Sequence, residues 1–561
     1  MKIDTILTGA QALTMDDSRP FATRIGIDRG LVVGLDSDLD GCTARTTVDV
    51  GQATVTPGFN DVHAHSVWFG LSLDEVDLSA ARTFDDIYEA IEHAASGVAL
   101  DGWIVAAGFD AMRLGGVPRI DVLDRVTQGR KLWIKNRSGH ACVVNSVVLD
   151  TILHGDTPTQ SGGDIIRDAD GRPTGLLEEN AMRLVQDLVL PYRSDDIERA
   201  LDRATGHYAT EGLTSITDAG IAGGWIGNSP IEFSAYQNAY DAGRLHTRMQ
   251  PMITIDALQD IRGHDDEPRQ HGLPTGIRTG FGDNMLRIGP TKIFTDGSLL
   301  GATAAMTEGY HTCPHNHGYM QGDPTDMRRR ALDAHAAGWS LALHAIGDEA
   351  VDLAIETIRE AHLRDGRRTV PNRIEHGGVI RPDQLIQLSE LGAVVVPQPH
   401  FIATFGDGMA ELLGPRRVDW SYRAQSLLAS GLVLPGSSDR PVAHGAPLTV
   451  IQSFVERLTE SGVMYGADER LTALQALRAY TVGSAAATGS AGFKGRIVPG
   501  MAADLAFLSH DPTAVDPSEI SKIGVLGTLL GGRPTWDSGA LSGLGSLSTP
   551  ASSDHQELSA V

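Results

Sequence analysis

The sequence predicts an α/β chain organised as a (β/α)8 barrel, with an insertion after strand 1 and a small β-sandwich built from both termini. Three observations carry this expectation. Eight short apolar runs alternate with amphipathic stretches at helical spacing, the pattern of strands and crossover helices in a parallel sheet. The first gap between runs is far longer than the rest. Short alternating segments rich in turn residues occur at both ends of the chain.

Taken in order, residues 1–56 contain Asp4 to Leu13, Ala22 to Asp28, Leu31 to Leu35 and Thr46 to Val50, with a turn at Arg29-Gly30; this is the N-terminal part of the sandwich. The apolar runs of the barrel, placed in residues 57–490, are Ala53 to Phe59, Leu213 to Thr217, Leu245 to Ile253, Leu286 to Phe294, Trp339 to Leu343, Asn372 to Ile374, Ala393 to Val396 and Leu432 to Leu434. Between them, Val351, Ala354, Ile355, Ile358 and Ala361 recur at helical spacing. His65 and Leu213 are 148 positions apart, against roughly 30 residues for a single βα unit. An insertion over about residues 66–210 is therefore expected, with strand signals at Trp103 to Ala107 and Lys131 to Lys135. On the catalytic face of a barrel it would wall the site. Residues 491–537 return to the sandwich through Ala503 to Leu508 and Gly524 to Trp536, and residues 538–561 read as a flexible tail.

Composition narrows the function. With 46 basic and 71 acidic side chains the formal charge is -25, which repels phosphate backbones and anionic lipid; neither nucleic acid nor membrane is an expected partner. Cys42, Cys142 and Cys313 are scattered and odd in number, so no disulfide framework is expected, and a reducing cytoplasm fits. No apolar run approaches the roughly 18 residues of a membrane helix, and the N-terminus lacks the pattern of a signal peptide. A homodimer is compatible with this reading. The distinctive feature is twenty histidines, and their positions matter more than their number.

Run 1 leads into Asp61-Val62-His63-Ala64-His65, and residues two apart on a strand point the same way, so His63 and His65 can present two imidazoles to one ion. Other runs end in Lys292 followed by Asp296-Gly297-Ser298, in His344, in Glu375-His376, and in Asp439 after Gly436-Ser437-Ser438. Singly, each has a bland explanation: a satisfied core histidine or an ion-paired lysine. Together at successive strand ends they describe a site, because barrel enzymes carry their chemistry there. Lys292 within Leu286, Ile288, Ile293 and Phe294 is costly unless neutralised or paired.

These segments, with Leu343 to Asp348, Arg373 to Gly377 and Gly495 to Leu505, resemble the amidohydrolase superfamily, and within it the amidohydrolase-3 group that includes N-substituted formamide deformylases. The resemblance spans nearly the whole chain and implies a TIM-like metal-dependent hydrolase barrel. It also implies two divalent metal ions: His63, His65 and Asp439 on one, His344 and His376 on the other, and a carboxylated Lys292 between them. Zinc suits these donors; iron, manganese and cobalt remain open. The implied reaction is hydrolysis of a non-peptide C–N bond by a metal-bridging hydroxide, with Asp439 moving the proton, on a small-molecule linear amide such as an N-substituted formamide. Cyclic amide hydrolysis or deamination on the same barrel is the alternative, and a catalytically inactive scaffold is the third reading.

Further signals have lesser weight. His140, in Ser138-Gly139-His140-Ala141, is proposed as a substrate or oxyanion contact. Trp68 and Phe69 follow the His pair and either line a pocket or pack in the core; Asp218 either supports a ligand histidine or forms a turn. His311 to His317 matches no zinc-finger spacing and is expected to be a loop near the site mouth. Many relatives carry an arginine after Asp-Gly-Ser, whereas this chain reads Leu299 to Thr303, which weakens the case for an anionic substrate.

Overall fold

The structure, a computed structural model, describes residues 1–136, 141–154, 163–266, 270–541 and 543–547. The chain divides into two compact units, Met1–Phe69 together with Ile197–Val561, and Gly70–Asp196.

In the larger unit the two ends of the chain share one sheet. Strand Thr54–Pro57 pairs parallel with Gln11–Leu13 and antiparallel with Leu505–Leu508, which continues through Val525–Leu530 to Arg533–Asp537. A second sheet is built from Lys2–Thr8, Ile25–Asp28, Leu31–Leu35 and Thr43–Asp49. The expected single run Asp4 to Leu13 divides between the two sheets at Gly9, whose φ of +74° suits glycine, and where a Cβ would sit 2.6 Å from Asp49 Oδ1. Leu7, Ile25, Val32 and Val48 from one sheet and Val55, Leu505, Phe507 and Leu529 from the other form one buried cluster. Leu541, Leu544 and Leu547 are buried in the same cluster, so packed chain extends past Asp537 into the expected tail. Three leucines at three-residue spacing present one apolar edge, which a short 3-10 turn at Leu544–Ser546 brings inward.

The site is carried by parallel strands. Phe59–Ala64 lies beside Leu213–Asp218, which lies beside Arg248–Met249. Ile253–Thr254, Thr291–Phe294, Leu341–Ala345, Arg373–His376 and Val394–Val396 follow, each parallel to the next. These strands are buried almost throughout, and that is why they appear as continuous apolar runs rather than alternating ones. Helix Asp348–Asp365 buries Val351, Ala354, Ile355, Ile358 and Ala361, the stripe its periodicity predicts.

Three runs differ from expectation, each for a backbone reason. Ala53 to Phe59 is not one strand: Thr54–Pro57 belongs to the terminal sheet and Phe59–Ala64 begins the parallel series. Gly58 at the junction approaches so closely that a Cβ would meet Thr214 Cγ2 at 2.2 Å. Leu245 to Ile253 is interrupted around Pro251, which has no N–H for the ladder, although Met252 still donates to Asp218 O at 2.9 Å. Residues 432–437 form no regular strand, yet Val62 N donates to Gly436 O at 3.1 Å and Ser437 Oγ to Pro397 O at 2.8 Å.

The smaller unit has its own six-stranded mixed sheet, in the order Gly163–Arg167, Pro173–Glu179, Ala141–Val144, Lys131–Asn136, Trp103–Phe109, Val76–Asp77. Ile87 and Ile91 of helix Phe84–Ala95 pack with Leu123, Ile104 and Ile134 in one of its cores. Thr83 and Asp86 form a capping box at that helix's start. No helix among the described residues is long and apolar enough to cross a membrane.

Candidate metal centre

His63 and His65 sit at the end of strand Phe59–Ala64, and Asp439 is held against them by its backbone N–H, which donates to His63 O at 2.7 Å. Asp61 ties the two segments together. Its carboxylate accepts from His63 N at 3.0 Å, Ser438 N at 3.2 Å and Ser438 Oγ at 2.5 Å. Asp439 takes a left-handed φ of 59°, a strained conformation that aims its carboxylate at the two imidazoles. Asp439 Oδ1 lies 3.0 Å from His65 Nε2 and 3.4 Å from His63 Nε2. One donor atom from each of these three buried residues falls within 4.8 Å of the others.

Neighbouring strands add the remaining groups. The rings of His376 and His63 are 4.8 Å apart, and those of His344 and His376 are 4.4 Å apart. Lys292 is 1% exposed and has no carboxylate within ion-pairing distance among the described residues; its Nζ lies 4.8 Å from the Phe294 ring centre. The structure thus brings His63, His65, Lys292, His344, His376 and Asp439 to one end of the parallel strands.

Hydrogen bonds orient these side chains and leave selected atoms open. His63 Nδ1 is bonded to the Glu375 carboxylate, which Arg373 clamps at 2.5 and 2.8 Å. His376 Nδ1 bonds Gln398 Oε1 at 2.7 Å, and His344 Nε2 bonds Gly297 O at 3.1 Å. His63 Nε2, His344 Nδ1 and Asp439 Oδ1 are buried without a hydrogen-bond partner. Buried polar atoms are nearly always satisfied, so His63 Nε2 and Asp439 Oδ1, close to each other and to His65 Nε2, describe a cation site with oriented imidazoles.

Electrostatics agree with the geometry. Burial, then the Lys292 charge, pushes His344 down to about 3, and burial with the neighbouring imidazoles holds His376 well below its ordinary value; both are neutral lone-pair donors. Burial opposes ionisation of Asp439, but His63 and His65 overcome it and hold the carboxylate well below its usual range. Burial pushes Lys292 down to about 8, with Glu375 and Asp439 pulling the other way. A substantial fraction of its amine is consequently neutral near physiological pH, as nucleophilic addition to carbon dioxide requires.

Other sequence candidates have varied positions. His140 lies outside the described residues. Trp68 is half-exposed beside His65, 5.9 Å between rings, whereas Phe69 stacks on Tyr208 at 5.3 Å. Asp218 accepts from Ser66 N at 2.9 Å and Tyr236 Oη at 2.6 Å, pinning the turn after His65, and lies close enough to His65 for the imidazole's charge to act on its carboxylate. His311 to His317 form a largely exposed loop in which His317 Nδ1 faces Met306 O at 3.3 Å. Among the described residues that segment contains no convergent donor set. The role of Glu375 escaped sequence reasoning because adjacent strand residues point to opposite faces. His376 breaks that rule with a φ of 71°, so Glu375 and His376 both reach the neighbourhood of His63.

Residues 46–536 match the model of the amidohydrolase family. A Bacillus subtilis (strain 168) protein named as an amidohydrolase, YtcJ, is 28% identical over 503 residues, 89% of this chain and 92% of its own. The N-substituted formamide deformylase of Arthrobacter pascens is 27% identical over 549 residues, 94% of this chain and 97% of its own. A crystal structure of an uncharacterized metal-dependent hydrolase from Pyrococcus furiosus superposes with a TM-score of 0.74 at 25% identity, covering 91% of this chain and 99% of that one. The chain belongs to the amidohydrolase family and is a hydrolase acting on carbon–nitrogen bonds.

Proposed function

We propose that the protein hydrolyses a linear amide of the N-substituted formamide class, using two divalent ions held by His63, His65, Asp439, His344, His376 and a carboxylated Lys292. The observation that carries this is the convergence of three buried donors, His63 Nε2, His65 Nε2 and Asp439 Oδ1, within 4.8 Å of one another. The donor set of imidazoles and oxygens fits zinc. When bound, the ions supply Lewis acidity toward an amide carbonyl and lower the pKa of water.

The chain's own residues do the rest. The neutral amine of Lys292 adds to carbon dioxide and loses a proton, giving a carbamate whose oxygens join the donor set and whose charge removes the cost of a buried ammonium. Asp439 accepts the proton of the attacking water and delivers it to the departing nitrogen, releasing formate and an amine. Glu375, fixed by Arg373, holds the proton on His63 Nδ1 and leaves Nε2 as the donor. Gln398 does the same for His376, and the Gly297 carbonyl leaves Nδ1 of His344 as its donor.

This reading includes an architecture. The parallel strands, continued by residues 432–437 beside Phe59–Ala64, are taken to close an eight-stranded barrel within residues 57–490, and the two terminal sheets to face each other as a sandwich. Links from Val62 to Gly436, and bridges joining Ile221 to Ile253 and Met249 to Leu286, support the closure. The shared apolar cluster supports the sandwich.

Formate release from N-benzylformamide, measured alongside metal content, tests the proposal. The loaded protein is expected to turn over and the metal-free protein to be inactive until metal is restored. Equal activity in both forms overturns it. Hydrolysis of lactams or aminopurines with no formamide turnover would select the cyclic-amide or deaminase alternative.

A further inference from the structure

A cavity of about 280 Å³ opens beside the candidate metal centre, at the ends of strands Ile253–Thr254 and Thr291–Phe294. Its walls include Lys292, Phe294, Trp225, Ile255 and Met327, closed on one side by Asp256 and Arg330. The volume is near the lower edge of ligand pockets, roughly 300–1,000 Å³, and suits one ring-sized group.

Phe294 is the wall shared with the candidate metal centre. One neighbour is that centre, with the His344 ring at 5.2 Å and Lys292 Nζ at 4.8 Å; another is Trp225, at 5.0 Å between ring centres. Trp225 is 71% exposed, an expensive place for an indole unless something covers it. Nor is it on a loose strand of chain. The buried carboxylate of Glu232 accepts from Ala222 N at 2.9 Å, Asn228 N at 2.8 Å and Asn228 Nδ2 at 2.7 Å, clamping both ends of the loop, and Gly227 N donates to Gly223 O at 3.0 Å. Three backbone or amide donors on one carboxylate hold the indole in place before anything binds.

The charges of the wall define what enters. Arg330 is engaged by Asp256 Oδ1 at 2.8 Å and Ile255 O at 3.2 Å. Asp323 caps the helix Pro324–Ala336 through Thr325 N, and Asp326 pairs with Arg329. Apart from Lys292, which the amide reading carries as a carbamate and so as a further negative group, the cavity wall holds three carboxylates and, among the described residues, no guanidinium free to receive an anion. A flat apolar ring matches Trp225 and Phe294 by stacking and edge contact, and a carboxylate there would be unpaired.

Resting on the amide reading above, we infer that this cavity binds an uncharged aromatic substituent on the amide nitrogen, with Trp225 and Phe294 as its specificity-determining aromatic walls and its acidic rim excluding carboxylates.

Three amides distinguish the possibilities: N-methylformamide, N-benzylformamide and N-(4-carboxybenzyl)formamide, compared by kcat/KM in the metal-loaded enzyme. The benzyl compound is expected to exceed the carboxybenzyl one by roughly tenfold to a hundredfold. In Met327→Trp, which fills the cavity, and in Trp225→Ala, the loss for the benzyl compound should exceed the loss for the methyl compound about tenfold. Equal losses, or a preferred carboxybenzyl substrate, overturn the pocket. If no formamide is turned over, the amide reading fails while the pocket is still decided by saturation-transfer NMR with N-benzylacetamide. Transfer to the ring protons that disappears in Met327→Trp supports it; transfer that is absent, or unchanged in that variant, overturns it.

Discussion

Both ends of the parallel strands bury polar groups, and they use them in opposite ways. At one end His63 Nε2, His344 Nδ1 and Asp439 Oδ1 have no hydrogen-bond partner. At the other, around a cavity of only about 20 Å³, each charged side chain of the lining is hydrogen-bonded. Arg248 makes two bonds to Asp504, at 2.7 and 2.8 Å; Lys494 Nζ donates to Ser215 Oγ; Arg287 donates to Thr488 O at 2.6 Å and to Ser490 Oγ. Burial displaces the pKa of both Lys292 and Lys494 downward. A shifted pKa therefore does not separate a working group from a structural one. Partners differ: Lys494 at the base donates to Ser215 Oγ, whereas Lys292 at the opposite end has no carboxylate within ion-pairing distance among the described residues.

The sharpest break in that comparison is Asp439→Ala, which removes both a donor and the proton carrier. It is expected to lower kcat/KM roughly 10³- to 10⁴-fold and to reduce bound metal, measured by elemental analysis, with little change in circular dichroism. Lys494→Met is expected to retain bound metal. If Asp439→Ala keeps full metal and activity, the open end is not the site.

Next in size is Arg248→Ala at the base. Removing one partner of a buried pair leaves Asp504 unpaired and is expected to cost about 3–5 kcal/mol of unfolding free energy, read from denaturant titration. Metal per chain should remain at the wild-type value. Loss of metal in this variant would show that the two ends are coupled rather than separate.

Glu375→Gln sharpens the metal end. The amide keeps the shape but loses the charge that pairs with Arg373 and His63, so metal affinity should fall roughly 10- to 100-fold by competitive chelation, and excess metal should restore turnover. An affinity equal to wild type would mean that His63 needs no orientation.

The contrast explains what could be read in advance. Strand-end identities such as His344 and Lys292 are local: each residue follows its own apolar run, and eight runs imply eight ends. Partnering is not local. The bond from His63 to Glu375 spans 312 positions and that from Asp61 to Ser438 spans 377, and no periodicity encodes such distances. The same applies to the aromatic wall. Phe294 is visible as a strand-end residue, but Trp225 reaches it from another loop, held by Glu232. Gly58, Pro251 and the irregular stretch 432–437 show a further limit: apolar runs locate strands but not where the ladder breaks.

The effect most specific to this end of the strands has the opposite sign. In metal-free protein without bicarbonate, Lys292 is a buried amine with no ion-pair partner among the described residues, so Lys292→Met should stabilise the fold by about 3 kcal/mol, the free energy of its pKa displacement and within the range for replacing buried charge with an apolar side chain. Glu375 and Asp439 offset part of the burial cost, and the folded-state pKa already contains their effect. The pH dependence fixes the cause. The folded-state pKa is about 8 and the ordinary value 10.5. Below pH 8 both states carry the proton and the folded chain bears the full penalty. Between 8 and 10.5 the unfolded chain binds more protons, so wild-type stability gains with rising pH relative to the variant; above 10.5 the difference vanishes. Urea titrations of both proteins from pH 7 to 10.5 should converge. Divergence with rising pH would assign the stabilisation to packing, and the lysine would then be an ordinary core residue rather than a destabilising group retained for what it binds.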